Sequence, residues 1–443
     1  MRKARHYTGV SVEKPREIAV QILLRRHTAH DYVENLLETA LEKASLTGPD
    51  RGLVQELVCG VVRWQATLDW LIARKTGSRE QKLVLQNLLR LGLYQLFWLD
   101  RIPDHAVVHE TVELAKQFGC GPQAGFVNAL LRTCLREREA LRQALADLKT
   151  TEPALGCSHP AWLCERWQQR WGDESLRKLL DWNNTPPKLW ARVNTLRARM
   201  EPLRELWATE GVEVKLHSFD WTGDLLIYEL VSHRPLGTLA SFNHGDFYIQ
   251  DPSTLLAAHA LNPQPGETVL DFCAAPGGKT TLMAQMMQNR GRIVAHDTMS
   301  DRLALVKENC ARLGVTCVET ATSDTLDSLA GSTLFDRVLV DAPCSNTGVL
   351  RRRVDLRWRI RPGEISRLQT IQGEILNQAA KRLKAGGVLV YSTCSLEPEE
   401  NEAVVKSFLA GQPEFRLQYD RKLLPFVDQV DGAYVARLIR QSI

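Results

Sequence analysis

Two cysteines close two apolar runs. Residues 341–348 read DAPCSNTG and follow the run DRVLV, which places Cys344 just past a strand-like stretch. Fifty residues later VLVYSTCSL, 388–396, ends a second such run at Cys394. A pair of thiols beside an acid would have a use if the target were a pyrimidine carbon. C5 of a cytosine is a poor nucleophile toward a methyl sulfonium. A thiolate added at C6 makes C5 enamine-like, so that covalent catalysis splits one hard step into easier ones. A carboxyl group near N3 supports the addition by holding a proton there. After methyl transfer the C5 proton must leave and the thiolate must be expelled. Such chemistry needs a thiol, an acid and a group that manages protons during release, and Asp341, Cys344 and Cys394 supply the set. The residues alone leave open which thiol attacks. The attacking one must be partly ionised, and nearby positive charge lowers a free thiol from about 8.5. The bland alternative is that both are small buried residues, and it weakens once both lie at neighbouring strand ends.

From about residue 265 the pattern alternates strand and helix. ETVLDF, GRIVAHD, VTCVETA, FDRVLVDAP and GGVLVYSTC read as strands, with KTTLMAQMMQN, SDRLALVKENCARLG and EISRLQTIQGEILNQAAKRLKAGG as helices between them. That order predicts a parallel, doubly wound sheet, in which ligands sit at the carboxyl ends of the strands. Asp271, Asp297, Asp341 and Cys394 all fall at such ends. Upstream, residues 13–145 place apolar residues three and four apart throughout, which predicts an all-helical bundle. TTEPALGCSHPAW reads as a linker, and the stretch after it as a small mixed α/β unit. The expected architecture is therefore multidomain: 1–147 all-α, 148–245 small α/β, 246–443 α/β.

CAAPGGKT, 273–280, joins a strand to a helix. It misses a P-loop by one residue, since Cys273 replaces the first glycine that the phosphate-cradling turn needs. It is not G-x-G-x-x-G either. The next strand ends in Asp297, 26 residues after Asp271, and an acid there suits a ribose with free hydroxyls. A glycine turn with a ribose acid and no phosphate site suits S-adenosylmethionine, whose sulfonium also favours carboxylates; nucleotide triphosphate binding and a plain tight turn are the alternatives. Asp324, after the third strand, is placed either for an adenine ring or as a helix N-cap.

CAAPGGKT, DAPCSNTG and YSTCSLEPEEN together resemble three signature motifs of the RsmB/NOP family of RNA 5-methylcytosine methyltransferases. LLRLGLYQL and GFVNALLR resemble the NusB-like helical domain of its bacterial RsmB branch, which acts on a cytosine of 16S ribosomal RNA. The resemblance spans nearly the whole chain. It implies an N-terminal NusB-like bundle, a small α/β domain and a C-terminal Rossmann-like class I methyltransferase domain dependent on S-adenosylmethionine. It further implies that Cys394 is the nucleophile, that Cys344 assists release, and that Asp341 holds the cytosine and lies near the methionine part of the cofactor. Cys273, Ala274, Ala275, Pro276, Gly277, Gly278, Lys279, Asp297 and Asp324 are then implied to bind the methyl donor. The chain departs from the pattern at Asn346, where Gly or Ala is common, at Gln250–Ser253, which reads QDPS, and at Arg353–Val354, where His–Pro is frequent.

RRRVDLRWRIR, 351–361, carries six arginines beside this motif, and Trp358 among them. It reads as a phosphate-tracking loop with a base-stacking ring, or as a basic loop around a core tryptophan. A target base must be unstacked to reach a thiol, which favours single-stranded or loop RNA. MRKARH and LLRRH offer further RNA contacts; a protein-docking role for the bundle is the equal alternative. A non-catalytic assembly or antitermination factor remains a second reading, and the same chemistry on another RNA a third. The chain has 443 residues and a net charge of +4, with no apolar run near the roughly 18 residues of a membrane span. The first residues lack an apolar signal region, so a cytoplasmic location is expected. The ten cysteines include no C-x-x-C, which argues against a zinc site or a disulfide scaffold. The expected partner is 16S RNA, in the small subunit or its precursor, with no metal and no membrane.

Overall fold

The computed structural model describes residues 14–29, 31–331 and 334–441. The stretch MRKARH lies outside them. The chain forms two compact units, one of the described residues up to Thr185 plus Arg353–Arg359, the other of Pro186–Arg352 and the residues from Ile360 onward.

The first unit is helical. Its hub is the helix Leu83–Trp98, apolar round most of its circumference and buried at every position from Asn87 to Leu96. The helices Pro15–Arg25, Gly48–Arg63, Gln65–Thr76, Asp104–Gln117 and Ala124–Arg136 pack on it. A Cβ at Gly60 would run into the Tyr94 ring, so glycine there lets two helices touch closely. Hub polar groups are paired: Arg90 makes two 2.7 Å bonds to Asp69, and Gln95 accepts from Arg16 at 2.7 Å.

Two sequence expectations change here. Residues 150–162, read as a linker, are packed: Cys157, Ser158 and His159 are buried, and Ser158 Oγ accepts the Ala66 N–H at 3.0 Å. The basic stretch changes more. Residues 353–359 belong to the helical unit, with Val354 and Trp358 in its apolar core. Trp358 Nε1 donates to the Val62 carbonyl at 2.7 Å. Arg357 is fully buried and donates to Asn184 Oδ1 at 2.9 Å and to the Asn183 carbonyl at 3.0 Å. Asp355, also fully buried, pairs with Arg26 at 2.5 Å and Arg359 at 2.8 Å and accepts the Val33 N–H at 3.1 Å. Arg357 and Trp358 are thus held by protein groups and packed against the helical core, which is the structural alternative for these two residues, while Arg353 and Arg361 are exposed.

The second unit holds two sheets. Strands β1 (Leu189–Val193), β2 (Glu213–His217), β3 (Ile227–Ser232) and β4 (Phe247–Ile249) form an antiparallel sheet in the order β2-β3-β1-β4. The helix Met200–Thr209 covers one face through Leu203 and Trp207. The larger sheet contains β5 (Thr268–Asp271), β6 (Arg292–His296), β7 (Val318–Ala321), β8 (Phe335–Asp341), β9 (Leu383–Thr393), β10 (Phe415–Leu423) and β11 (Ala433–Arg440). Its order is β10-β11-β9-β8-β5-β6-β7. Five strands run parallel as expected, while β11 and β10 close one end antiparallel. These two were not foreseen. Alternate strand residues serve opposite layers: Val269 and Leu339 pack with the helices Gly278–Met286 and Ser300–Leu313, and Leu270 and Val338 with Pro362–Ala380 and Glu402–Gly411. The chain leaves β5 to one side for β6 and resumes at β8 on the other, a switch point where strand ends open a crevice.

Asp355→Ala leaves Arg26 facing a buried gap. It is expected to cost about 3–5 kcal/mol, read as a lower midpoint in equilibrium urea unfolding.

Candidate active site

The register of the sheet brings the two cysteine motifs together. β8 and β9 run parallel with Asp341 opposite Ser392, so the loops that follow leave the sheet side by side. Cys344 Sγ lies 3.3 Å from Cys394 Sγ. Asp341 accepts from Ser392 Oγ at 2.6 Å on one oxygen and from Lys279 Nζ at 2.6 Å on the other. Burial works against the Lys279 charge, but the Asp341 carboxylate more than offsets it and holds the amine above its ordinary value. The hydrogen bond to Cys394, with burial, pushes the Cys344 thiol well up. Elsewhere, burial raises the thiols of Cys134, Cys157 and Cys310 to about 11, as befits packing residues.

Behind the cysteines stands Glu400, which sequence reasoning missed although YSTCSLEPEEN contains it. It is fully buried, and burial raises its carboxyl above the usual range. Its oxygens accept from the Ser345 N–H at 2.8 Å, from Gln372 Nε2 at 3.0 Å and from the hydroxyls of Ser345 and Ser395. Ser345 follows Cys344 and Ser395 follows Cys394, so one carboxyl clamps both loops. The available signal was that each cysteine is followed by a serine. Gly348 lies where the loops cross, and a Cβ on it would stand 2.7 Å from the Cys394 carbonyl oxygen and 2.8 Å from Gly432 Cα. Beyond it Arg351 and Arg352 each pair with both Asp251 and Asp431. Asp251, the acid of QDPS, thus anchors the loop that carries Cys344.

The turn 273–279 sits between β5 and the helix Gly278–Met286. It contains a cis Ala275–Pro276 bond, and Gly277 takes a φ of 102° that favours glycine. A Cβ at Gly278 would lie 3.2 Å from Tyr248 and 3.3 Å from Gln250, so β4 and the residue after it wall the turn. Arg192 of β1, fully buried, donates to the Gly278 carbonyl at 3.2 Å and to Gln250 Oε1 at 2.9 Å. Asp297 is buried, accepts the Ala275 N–H at 3.3 Å and the Met299 N–H at 3.2 Å, and pairs with Arg302 at 3.4 Å. Asp271 accepts from Thr280 Oγ1 at 2.6 Å through one oxygen, while its other buried oxygen has no hydrogen-bond partner. Burial, with Asp341 nearby, raises its carboxyl to about 7. An orphaned acid oxygen beside a glycine turn fits a ligand that carries an amine and a positive sulfur. Asp324 is exposed in the first turn of the helix Ser323–Ala330, while its neighbour Ser323 meets His296 Nε2 at 3.3 Å.

A switch point with Asp271, Asp297 and Asp341 at strand ends, a glycine turn after β5 and one thiol after each of β8 and β9 defines an S-adenosylmethionine-dependent methyltransferase. More narrowly, the chain belongs to the 16S rRNA methyltransferase RsmB/F family. Residues 258–439 match that family, 13–136 the NusB family, and 159–223 the ferredoxin-like domain of RsmF/B-like methyltransferases. The probable ribosomal RNA small subunit methyltransferase B of Bacillus subtilis is 38% identical, with 93% of each chain covered. Ribosomal RNA small subunit methyltransferase B of Klebsiella pneumoniae is 35% identical, with 96% of this chain and 98% of the relative covered. Among solved structures, PH0851 is 25% identical at a TM-score of 0.77, covering 96% of this chain and 99% of that one. A methyltransferase homologue from Pyrococcus horikoshii is 31% identical at 0.56, covering 65% and 97%.

Asp271 binds a proton in the folded chain up to about pH 7 but in an unfolded chain only to about 3.9. The folded state therefore holds more protons between these values, and the Asp271 contribution to stability falls as pH rises through the window. Asp271→Asn is expected to flatten the pH dependence of urea unfolding there relative to the parent protein.

Proposed function

We propose that the chain methylates C5 of a cytosine in 16S ribosomal RNA, with Cys394 as the attacking thiol. The observation that carries this reading is the 3.3 Å pair of Cys344 and Cys394 beside an Asp341 fixed by Ser392 and Lys279. The RNA class rests on the curated relatives, named for the small-subunit RNA. A cytoplasmic location follows from such a substrate, and a purely RNA-binding factor has no use for these three residues.

In this mechanism Asp271, the turn Cys273–Lys279, Asp297 and Asp324 hold the methyl donor, with Asp341 near its methionine part. Cys394 gives up its hydrogen and forms the S–C6 bond. The C5–C6 π pair moves toward N3, where Asp341 holds the proton that balances the addition. Bound S-adenosylmethionine supplies the electrophilic methyl group to C5. The C5–H bond then breaks, its electron pair restores C5=C6, and the S–C6 pair returns to sulfur. Cys344 keeps its hydrogen in the resting site, pushed up by Cys394 and by burial. It donates that hydrogen to the departing sulfur and takes up the C5 proton in its place, while the proton at N3 leaves to solvent. The thiol pair ends as it began.

With a 16S RNA fragment and methyl donor, Cys394→Ala is expected to lose both turnover and denaturant-stable protein–RNA adducts. Cys344→Ala should accumulate such adducts, because release is impaired. A denaturing gel with labelled RNA reads both, and adducts persisting in Cys394→Ala would reverse the assignment.

A further inference from the structure

Asn346, a point of departure in the motif, touches both cysteines. Its Nδ2 donates to the Cys344 carbonyl at 2.7 Å, and its Oδ1 stands 2.9 Å from Cys394 Sγ. The first bond fixes the amide. A carbonyl oxygen only accepts, so Nδ2 must face it and Oδ1 must face the sulfur. Oδ1 in turn only accepts, so the Cys394 sulfur must supply the hydrogen. Cys344 Sγ, which keeps its own hydrogen, stands at 3.3 Å from the same sulfur. The hydrogens run in one direction, from Cys344 to Cys394 to Asn346. We propose that Asn346 is a positioning residue that latches Cys394 in its hydrogen-bearing form and aims the sulfur. Oδ1 presents only lone pairs to the sulfur, so the Cys394 hydrogen stays engaged until the amide turns or the sulfur swings away. In the RNA reaction this restrains the thiol before the base arrives; that consequence rests on Cys394 being the attacking group.

The backbone makes a clean test possible. Asn346 has a φ of 56°, in the left-handed region that Asn tolerates and Gly enters freely. Asn346→Gly thus removes the amide and keeps the turn. Iodoacetamide labelling of the Cys394 peptide, followed by mass spectrometry across a pH series, needs no turnover and no RNA. Loss of one thiol hydrogen bond is expected to speed labelling at neutral pH by about five-fold. Asn346→Asp replaces the amide with a charged acceptor and is expected to slow labelling. Opposite signs at one position are not produced by a loosened loop, which exposes the sulfur in both variants. Labelling that rises in both, or moves in neither, overturns the latch. Either result leaves the adduct test of Cys394 untouched, because labelling does not depend on which thiol attacks RNA.

Discussion

Gly348 donates its N–H to the Cys394 carbonyl at 2.9 Å and accepts the Gly432 N–H at 2.9 Å. Neither contact survives a side chain on it, since the space for a Cβ is already taken by backbone. Three segments meet at this crossing: the loop after β8, the loop after β9 and the turn before β11. Parallel pairing of β8 and β9 delivers two cysteines to the same edge, but pairing alone fixes strands and not the loops beyond them. The glycine crossing sets the loops in register, and the 3.3 Å separation of the thiols depends on it. The antiparallel strand β11, absent from the sequence reading, is needed here because Gly432 stands at its entrance.

Charge holds this crossing. Glu400, Asp431, Asp251, Arg351 and part of Arg352 are withdrawn from water. The penalty for removing an ion from water is several kcal/mol, so the ions add little net stability over an apolar plug of similar shape. What they supply is direction. Arg351 and Arg352 satisfy two acids that come from before β5 and before β11, and each guanidinium accepts a narrow set of angles. Glu400 likewise offers acceptors to two serines in fixed positions. An apolar contact would tolerate small slides between the loops, and a slide of an ångström would take the thiols out of contact.

Strand ends were legible because apolar runs and the turn residues after them are local signals. Asp271, Asp297, Asp341 and Cys394 emerged at one edge from alternation alone. The arginine stretch 351–361 shows the opposite case. Its charge is plain in the sequence, but its partners are not: Asp431 lies 80 residues after Arg351, Asp251 lies 100 before it, and the Asn184 partner of Arg357 is 173 away. A charge cluster reads as surface until those acids and amides are placed. Glu400 and Asn346 were hidden differently. Each lies in a motif already singled out, and each acts through a geometry that needs the folded loops. Of the C-terminal strands, β10 was masked by composition, since it exposes most of its residues and shows no clean apolar run.

The two cysteines are chemically identical, so their division of labour must come from what surrounds each. Cys344 follows a proline, is half-buried, and is tied through its carbonyl to Asn346 and through its sulfur to Cys394. Removing its proton would break the hydrogen bond to Cys394 and leave a charge shielded from water, and the shift upward follows. Cys394 has Asn346 on one side and the positive Lys279 within electrostatic reach. Once ionised, it is met by a hydrogen from Cys344 rather than by a second negative charge. Under the proposed mechanism the same contact serves both directions: a thiol that holds its proton firmly stabilises a neighbouring thiolate before attack and receives it on departure. A single cysteine could attack, but it would leave behind a poor route for expulsion from a crowded, water-poor edge. The Pro–Cys sequence therefore marks the thiol whose proton is hard to remove, and under the proposed mechanism its partner fifty residues on is the one that attacks once it is released from Asn346.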